Sequence, residues 1–270
     1  MKVSVVYCTA RHGGFDILAK SIEHQTHSDL ELLVVDELDR FSHTKLQEID
    51  PRFAYLKPPT KKPGMFWNLS ASLNEGVRYA TGELIVLLQD YIYLPPDAIE
   101  KYVKKYELEG PKCLISGVSD QFASPPIDCP LGAWSVWDHD VPLPPSGEIV
   151  FKDPRNKDRG GFFVTIPLEW EANWGCFPKQ AWIDVGGFDE RFDAGWGYDN
   201  VDFADRCQHA GYRIFLDCDN PVQCYSHINL FNEQGRRDSA PNNCALYNRL
   251  ERDRHKWLEP WKLDYAQINS

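Results

Sequence analysis

The chain has 270 residues, 43% of them hydrophobic and 13% aromatic, so it can bury a sizeable core and is not a disordered segment. Its formal charge of −11 argues against a broad electropositive face for nucleic acid. No apolar run reaches the roughly 18 residues that a membrane span needs.

"MKVSVVYCTAR" reads as a first strand and not as a signal peptide, so a cytoplasmic location is expected. The eight cysteines form no CxxC pair and no regular framework, which reads as reduced thiols packed like small apolar residues. Two basic islands, "KPPTKKPG" at 57–64 and "RLERDRHKW" at 249–257, read as a solvated loop and the outer face of a terminal helix.

In chain order, "VSVVYC" (3–8) is a β-branched run suited to a strand buried on both faces. "FDILAKSIEHQ" follows with Phe15, Leu18, Ala19 and Ile22 on one helical face. "LELLVVDE" (30–37) is the second strand, and "FAYL" (53–56) a short third. Leu69, Leu73, Val77 and Ala80 recur at helical spacing, closed by Gly82. "LIVLLQD" (84–90) is another buried strand, "PPDAIEKYVKKYELEG" a helix with proline at its start and glycine past its end, and "KCLISGVS" (112–119) one more strand.

Alternating strands and helices at this spacing predict an α/β domain with a mostly parallel central sheet flanked by helices. Ligands of such sheets sit beyond the carboxyl ends of the strands, where Asp36 and Asp90 fall. Residues 119–168 differ: eight prolines from Pro125 to Pro167 accompany Trp134, Trp137, Phe162 and Phe163, the composition of an ordered lid or acceptor loop. No internal repeat or clean boundary is present. The expected organisation is one domain over 1–270, with halves at 1–118 and 169–270 around that loop.

"GGFDERFDAGWGYDNVDFADR" (186–206) crowds Asp189, Glu190, Asp193, Asp199, Asp202 and Asp205 around four glycines. A short helix is expected to end at Gly186–Gly187, and a second, "VDFADRCQHAG", to be capped by Asp199 or Asn200. A cap alone explains Asp199 or Asn200. It does not explain Trp196 between two glycines just ahead of the cap, which fits an aromatic plane offered to a sugar face. A helix start also holds a carboxylate rigidly, as a general base requires.

"VSVVYCTAR", "LLVVDE", "LNEGVRYATGELIVLLQDYIYLPPD" and "WGCFPKQAWIDVGGFDERFDAGWGYDNVDFADR", in this order, resemble the inverting family 2 glycosyltransferases of GT-A fold, and the last segment also resembles the β-1,4-galactosyltransferases. The resemblance implies transfer of a sugar from a nucleoside diphosphate, UDP favoured, to a saccharide hydroxyl. A divalent cation, Mn²⁺ or Mg²⁺, would neutralise the leaving diphosphate. The family's DxD motif is Leu88-Gln89-Asp90 here, so Asp90 is the implied metal ligand, joined by His227 of "CYSHIN". Asp36 is implied to read the nucleobase beside Thr9 and Arg11. Asn74 is implied to contact the donor, with Lys62 in place of an arginine the family carries where Leu73 stands.

The family's Glu-Asp at the last helix start is Asp199-Asn200 here, and an amide accepts no proton. Asp199 is the first candidate base and Asp202 the second; Glu171, Trp174 and Trp196 line the acceptor side. Two other functions stay open: the same transfer to a hydroxylated base in DNA, and a degenerate domain that binds nucleotide or glycan without turnover. A zinc site of Cys218, Cys224 and His227 lacks a fourth ligand.

Overall fold

The computed structural model describes residues 1–11, 13–124, 142–153, 160–226 and 239–254. Trp134, Trp137, His227 and the end of the second basic island lie outside the described residues. The strands are β1 (Val3–Thr9), β2 (Leu30–Asp36), β3 (Phe53–Leu56), β4 (Leu84–Leu88), β5 (Ile92–Tyr93), β6 (Cys113–Phe122), β7 (Ile149–Lys152), β8 (Phe162–Val164), β9 (Gly175–Pro178) and β10 (Arg213–Tyr225). The helices are α1 (Phe15–Glu23), α2 (His43–Ile49), α3 (Leu69–Tyr79), α4 (Ala98–Glu109), α5 (Lys179–Val185), α6 (Asp199–His209) and α7 (Ala240–Arg254).

All ten strands form one sheet whose main path runs β3-β2-β1-β4-β9-β6-β10-β5. Strands β3, β2, β1 and β4 are parallel, as the alternating pattern predicts, and the register sets Thr9 beside Asp36 and Tyr7 beside Val34 and Leu88. The far half is mixed. Strand β9 runs antiparallel between β4 and β6, and β5, β7 and β8 add antiparallel pairings.

Both faces of the sheet are covered. One core packs Val5, Tyr7 and Leu32 against α1 and α4; the other packs Val6, Leu33 and Ile85 against α3, α5 and α6. Helix α3 approaches β1 so closely that a Cβ on Gly76 would lie 2.3 Å from Val6 Cγ1. On the same face Phe188 and Phe203 stack with ring centroids 4.3 Å apart and planes at 19°, fixing the start of α6 to the sheet.

Several boundaries differ from the pattern. Helix α2 and strands β9 and β10 were not predicted. Helix α5 ends at Gly186 in the left-handed conformation (φ 80°, ψ 27°), the expected glycine stop. The cap of α6 is Tyr198 at φ 69°, with no side-chain cap bond, so Asp199 and Asp202 both lie in the first turn. Within 119–168, residues 119–122 continue β6, and Phe162 and Phe163 belong to β8, Phe162 stacking on Phe215 at 4.7 Å. These two aromatics fasten the edge of the sheet.

Candidate active site

A cleft of about 310 Å³ opens at the carboxyl ends of β1, β2 and β4. This is where an open α/β sheet is expected to bind its ligand, and the size suits a small-molecule site. One wall is made by Thr9, Arg11, Glu37, Gln89 and Asp90. The facing wall is made by Glu171 and the stretch that includes Asp193, Trp196, Asp199 and Asn200.

The strand wall is a closed polar network. Asp90 Oδ1 accepts from Tyr7 OH at 2.5 Å and from Thr9 Oγ1 at 2.6 Å, while Arg11 Nη1 lies 3.4 Å from Oδ2. Tyr7 points at Asp90 because the parallel register aligns it with Leu88, two residues before the acid. Burial pushes the Asp90 carboxyl above its ordinary value, and the Arg11 guanidinium is the strongest group pulling it back. Burial, reinforced by Asp90, holds the Tyr7 phenol far above its usual range and keeps it a donor.

Asp36 is fully buried and its oxygens are already engaged. They accept from the Leu38 amide at 3.1 Å, the Arg40 amide at 2.7 Å and Arg40 Nη2 at 3.0 Å. The same Nη2 donates to Thr9 Oγ1 at 2.9 Å, so Arg40 joins Asp36 to the Asp90 network. Asp36 itself is not among the residues that line the cleft, and the next residue, Glu37, is.

The facing wall begins with Asp193, a residue with no predicted role. Its carboxylate accepts from the amides of Ser70 (2.8 Å) and Ala71 (3.2 Å), capping α3 from a distant part of the chain. Its own carbonyl accepts from the amides of Phe66 and Trp67, both at 2.9 Å. Burial raises its pKa, with the two amides opposing.

Asp199 sits half-buried in the cleft at the start of α6. Removal from water, with the charge of Asp193 adding to it, pushes its carboxyl up to about 6. Asn200 cannot take a proton and instead donates to the carbonyl of Trp170 at 2.7 Å, tying the helix start to that residue. Trp196 lines the cleft with 38% of its surface exposed. Glu171 is fixed through its backbone, whose amide donates to Ser116 Oγ at 3.2 Å.

Four other expected residues have structural duties. Asp202 is fully buried and paired with Arg206 Nε at 2.8 Å, on the inner face of α6 away from the cleft. Asn74 is buried; it accepts from Trp182 Nε1 and the Phe188 amide and donates to the Phe188 carbonyl, bracing the turn after α5. Trp174 is a core residue whose Nε1 donates to the Gly117 carbonyl at 3.1 Å. Lys62 is exposed and pairs with Glu190 at 2.5 Å, outside the cleft. Thr9, Arg11, Asp90, Glu171, Trp196 and Asp199 are thus brought to one cleft, while Asp36, Lys62, Asn74, Trp174 and Asp202 are not.

No group of three His, Cys, Asp or Glu side chains able to hold a metal ion by itself occurs among the described residues. Burial pushes the Cys224 thiol up to about 12. Asp90 does fit a cation that arrives with a diphosphate, since Mg²⁺-type sites commonly take one or two carboxylates and complete their shell with phosphate oxygens and water.

The strand-end cleft and the acid-bearing helix start that faces it fall in stretches similar to known proteins. Residues 14–126 match the model of "Glycosyl transferase family 2", and residues 164–229 that of the "N-terminal domain of galactosyltransferase". Over these stretches the chain is similar to the family 2 glycosyltransferases and to the galactosyltransferase domain, and its fold is of the GT-A type.

A Haloferax volcanii protein, glucosyl-dolichyl phosphate glucuronosyltransferase, is 29% identical over 199 residues, 70% of this chain and 56% of that protein. S. aureus TarS 1-349 superposes with a TM-score of 0.51 at 14% identity, over 84% of this chain and 61% of that one. The mannosyltransferase PcManGT of Pyrobaculum calidifontis, solved with GDP-Man and Mn²⁺, superposes with a TM-score of 0.54 at 18% identity, over 87% of this chain and 58% of that one. The chain therefore spans a little over half the length of these relatives. No helix among the described residues is long and apolar enough to cross a membrane.

Proposed function

We propose that the chain transfers a neutral hexosyl group from a nucleoside diphosphate, UDP favoured, to a hydroxyl of a saccharide acceptor, with inversion at the anomeric carbon. The observation that carries this is Asp199. It is a carboxylate with a pKa of about 6 at a rigid helix start, facing the same cleft as Asp90 from the opposite wall. A general base works best when its pKa lies near the operating pH. In a single displacement the acceptor hydroxyl attacks from the side away from the leaving diphosphate, which is the side Asp199 would serve.

Among the described residues, five carboxylates (Glu37, Asp90, Glu171, Asp193 and Asp199) and one guanidinium (Arg11) line the cleft. That balance repels a bare diphosphate. A divalent cation bound with the donor, held by Asp90 and by His227 as the resemblance implies, supplies the neutralising charge when present. The strand wall contributes the rest of the donor site. Arg11 offers a positive charge near the phosphates, Thr9 keeps Asp90 oriented, and Glu37 is the cleft-lining carboxylate just past the end of β2 that would face a nucleobase imide. Trp196 offers its face to the acceptor sugar, and Asp199 takes the proton from the attacking hydroxyl. The H. volcanii relative is named for glucuronosyl transfer to a glucosyl-lipid. A sugar-terminated acceptor is carried over from it, but a uronic acid donor would bring a further negative charge into an already acidic cleft.

The test is release of UDP from a panel of UDP-sugars, UDP-glucose and UDP-glucuronic acid included, with Mn²⁺ and simple glycoside acceptors. Turnover of a neutral donor is expected, and Asp90→Ala should abolish the Mn²⁺-dependent part of UDP binding while leaving the circular dichroism unchanged. UDP affinity that is indifferent to Mn²⁺ in both proteins would remove Asp90 from the donor site. UDP binding without turnover of any donor would favour the degenerate, non-catalytic reading.

A further inference from the structure

Helix α7 follows the segments that match known families, and its first turns press on the acceptor wall. Asn243 is 2% exposed, and its Nδ2 donates to the carbonyls of Phe192 and Gly197, both at 2.8 Å. Those carbonyls flank the Gly195-Trp196-Gly197 bend, so one side-chain amide ties its two ends together. Gly195 itself is extended (φ −151°), so its backbone does not require glycine. The neighbour requires it: a Cβ at Gly195 would lie 2.5 Å from Asn243 Oδ1 and 3.1 Å from the Ser239 carbonyl. One residue past the bend, the ring of Tyr198 lies 5.6 Å from that of Tyr247. The same helix thus grips the chain on both sides of Trp196 and immediately before Asp199.

We propose that Asn243 is a positioning residue of the acceptor wall: by tying Phe192 to Gly197 it sets the pose of Trp196, and through it the seat of the acceptor sugar. The proposal rests on the reading of Trp196 as an acceptor contact. Only an amide meets both demands of the position. Its two N–H groups satisfy two carbonyls, and its oxygen is tolerated against a glycine Cα. A carboxylate of the same shape would set negative oxygens against those carbonyls and release the bend.

The clamp is read without turnover by replacing the nine tryptophans with 5-fluorotryptophan and recording fluorine NMR. The Trp196 line is identified by its loss in Trp196→Phe, and those of the buried Trp170, Trp174 and Trp182 in the same way. Asn243→Ala and Asn243→Asp should shift or broaden the Trp196 line and leave the three buried lines in place. Gly195→Ala, which pushes a methyl against Asn243 from the other side, should displace the same line if the Asn243 variants fail to fold. UDP affinity with Mn²⁺, measured by calorimetry, should change by less than about twofold, since a contact to the acceptor alone leaves donor binding intact. A Trp196 line unmoved in every folded variant overturns the clamp. So does one that moves only together with the buried lines, because the residue would then serve the fold at large. Absence of UDP binding in the wild-type protein overturns the donor reading instead, and the fluorine spectra still decide the clamp.

Discussion

The two walls of the cleft are built by different means. On the strand wall, Tyr7, Thr9 and Asp36 are neighbours in a parallel register, and the Asp90 network closes between residues the sheet has already aligned. On the acceptor wall there is no strand. A short 3₁₀ turn (Glu190–Ala194), a glycine-flanked tryptophan and a helix start are held by side chains from far away, Asp193 reaching Ser70 and Asn243 reaching Phe192. A backbone lattice fixes the strand wall, whereas a few polar ties fix the facing wall. Function on the facing wall should therefore be separable from stability, residue by residue.

The sharpest break in that comparison is Asp199→Asn. Turnover should fall by about 10²–10⁴, the usual share of general-base catalysis, with UDP affinity unchanged. The wild-type acid limb should have its midpoint near pH 6, turnover rising as Asp199 loses its proton. Because the folded pKa lies above the unfolded value, the folded state binds the extra proton between roughly pH 4 and 6. The associated stability is full below that window and lost as pH rises through it. The variant escapes this loss and should be more stable at pH 7 by about 1–2 kcal/mol in urea denaturation. Turnover equal to wild type would mean that another group is the base.

Asp202→Ala should do the reverse. It removes the carboxylate that pairs with buried Arg206, and breaking a buried pair typically destabilises by about 3–5 kcal/mol, while kcat of the folded fraction stays within a few-fold. A collapse of kcat without loss of stability would move the base from Asp199 to Asp202.

Asp193→Asn lies between the two. It should weaken the cap of α3 by about 1 kcal/mol, read from the denaturation midpoint. By removing a negative neighbour it should also lower the midpoint of the acid limb below that of the wild type. A limb that stays in place would show that Asp193 does not set the Asp199 proton affinity. The smallest effect belongs to Lys62→Ala: an exposed ion pair is worth about 0–1 kcal/mol, and UDP affinity should not change.

The strand wall was largely legible because its signal is local. Buried β-branched runs stop at Thr9 and just short of Asp90, and the placement of ligands at such ends is general. Asp199 was legible for a similar reason, as an acid at the start of a helix that follows a glycine-tryptophan-glycine bend. The pairing of Asp36 was not legible, because nothing in its own stretch announces that Arg40, in the loop beyond the strand, folds back to take both oxygens. The burial of Asn74 and Trp174 was not legible either, because a polar or aromatic residue on a buried face looks in sequence like one aimed at a ligand. The roles of Asp193 and Asn243 depend on contacts across the fold, which no spacing encodes. Strand β9 is only four residues long, and β10 carries Pro221 and a register shift between Asp217 and Val222, so neither presents a clean period.

The place of β9 also bears on how the chain is made. In the finished sheet β4 and β6 share no pairing; β9 lies between them, with Cys176 facing Val86 on one side and Ile115 on the other. A chain emerging from the ribosome has already completed β1 to β6 when this filler is still unsynthesised. The nascent first half holds two open strand edges, a template for pairing with other chains, until residue 178 is available. Closing the gap by such distant contacts makes folding slow, and a fragment ending at residue 126, although it matches one family model by itself, should aggregate instead of folding on its own.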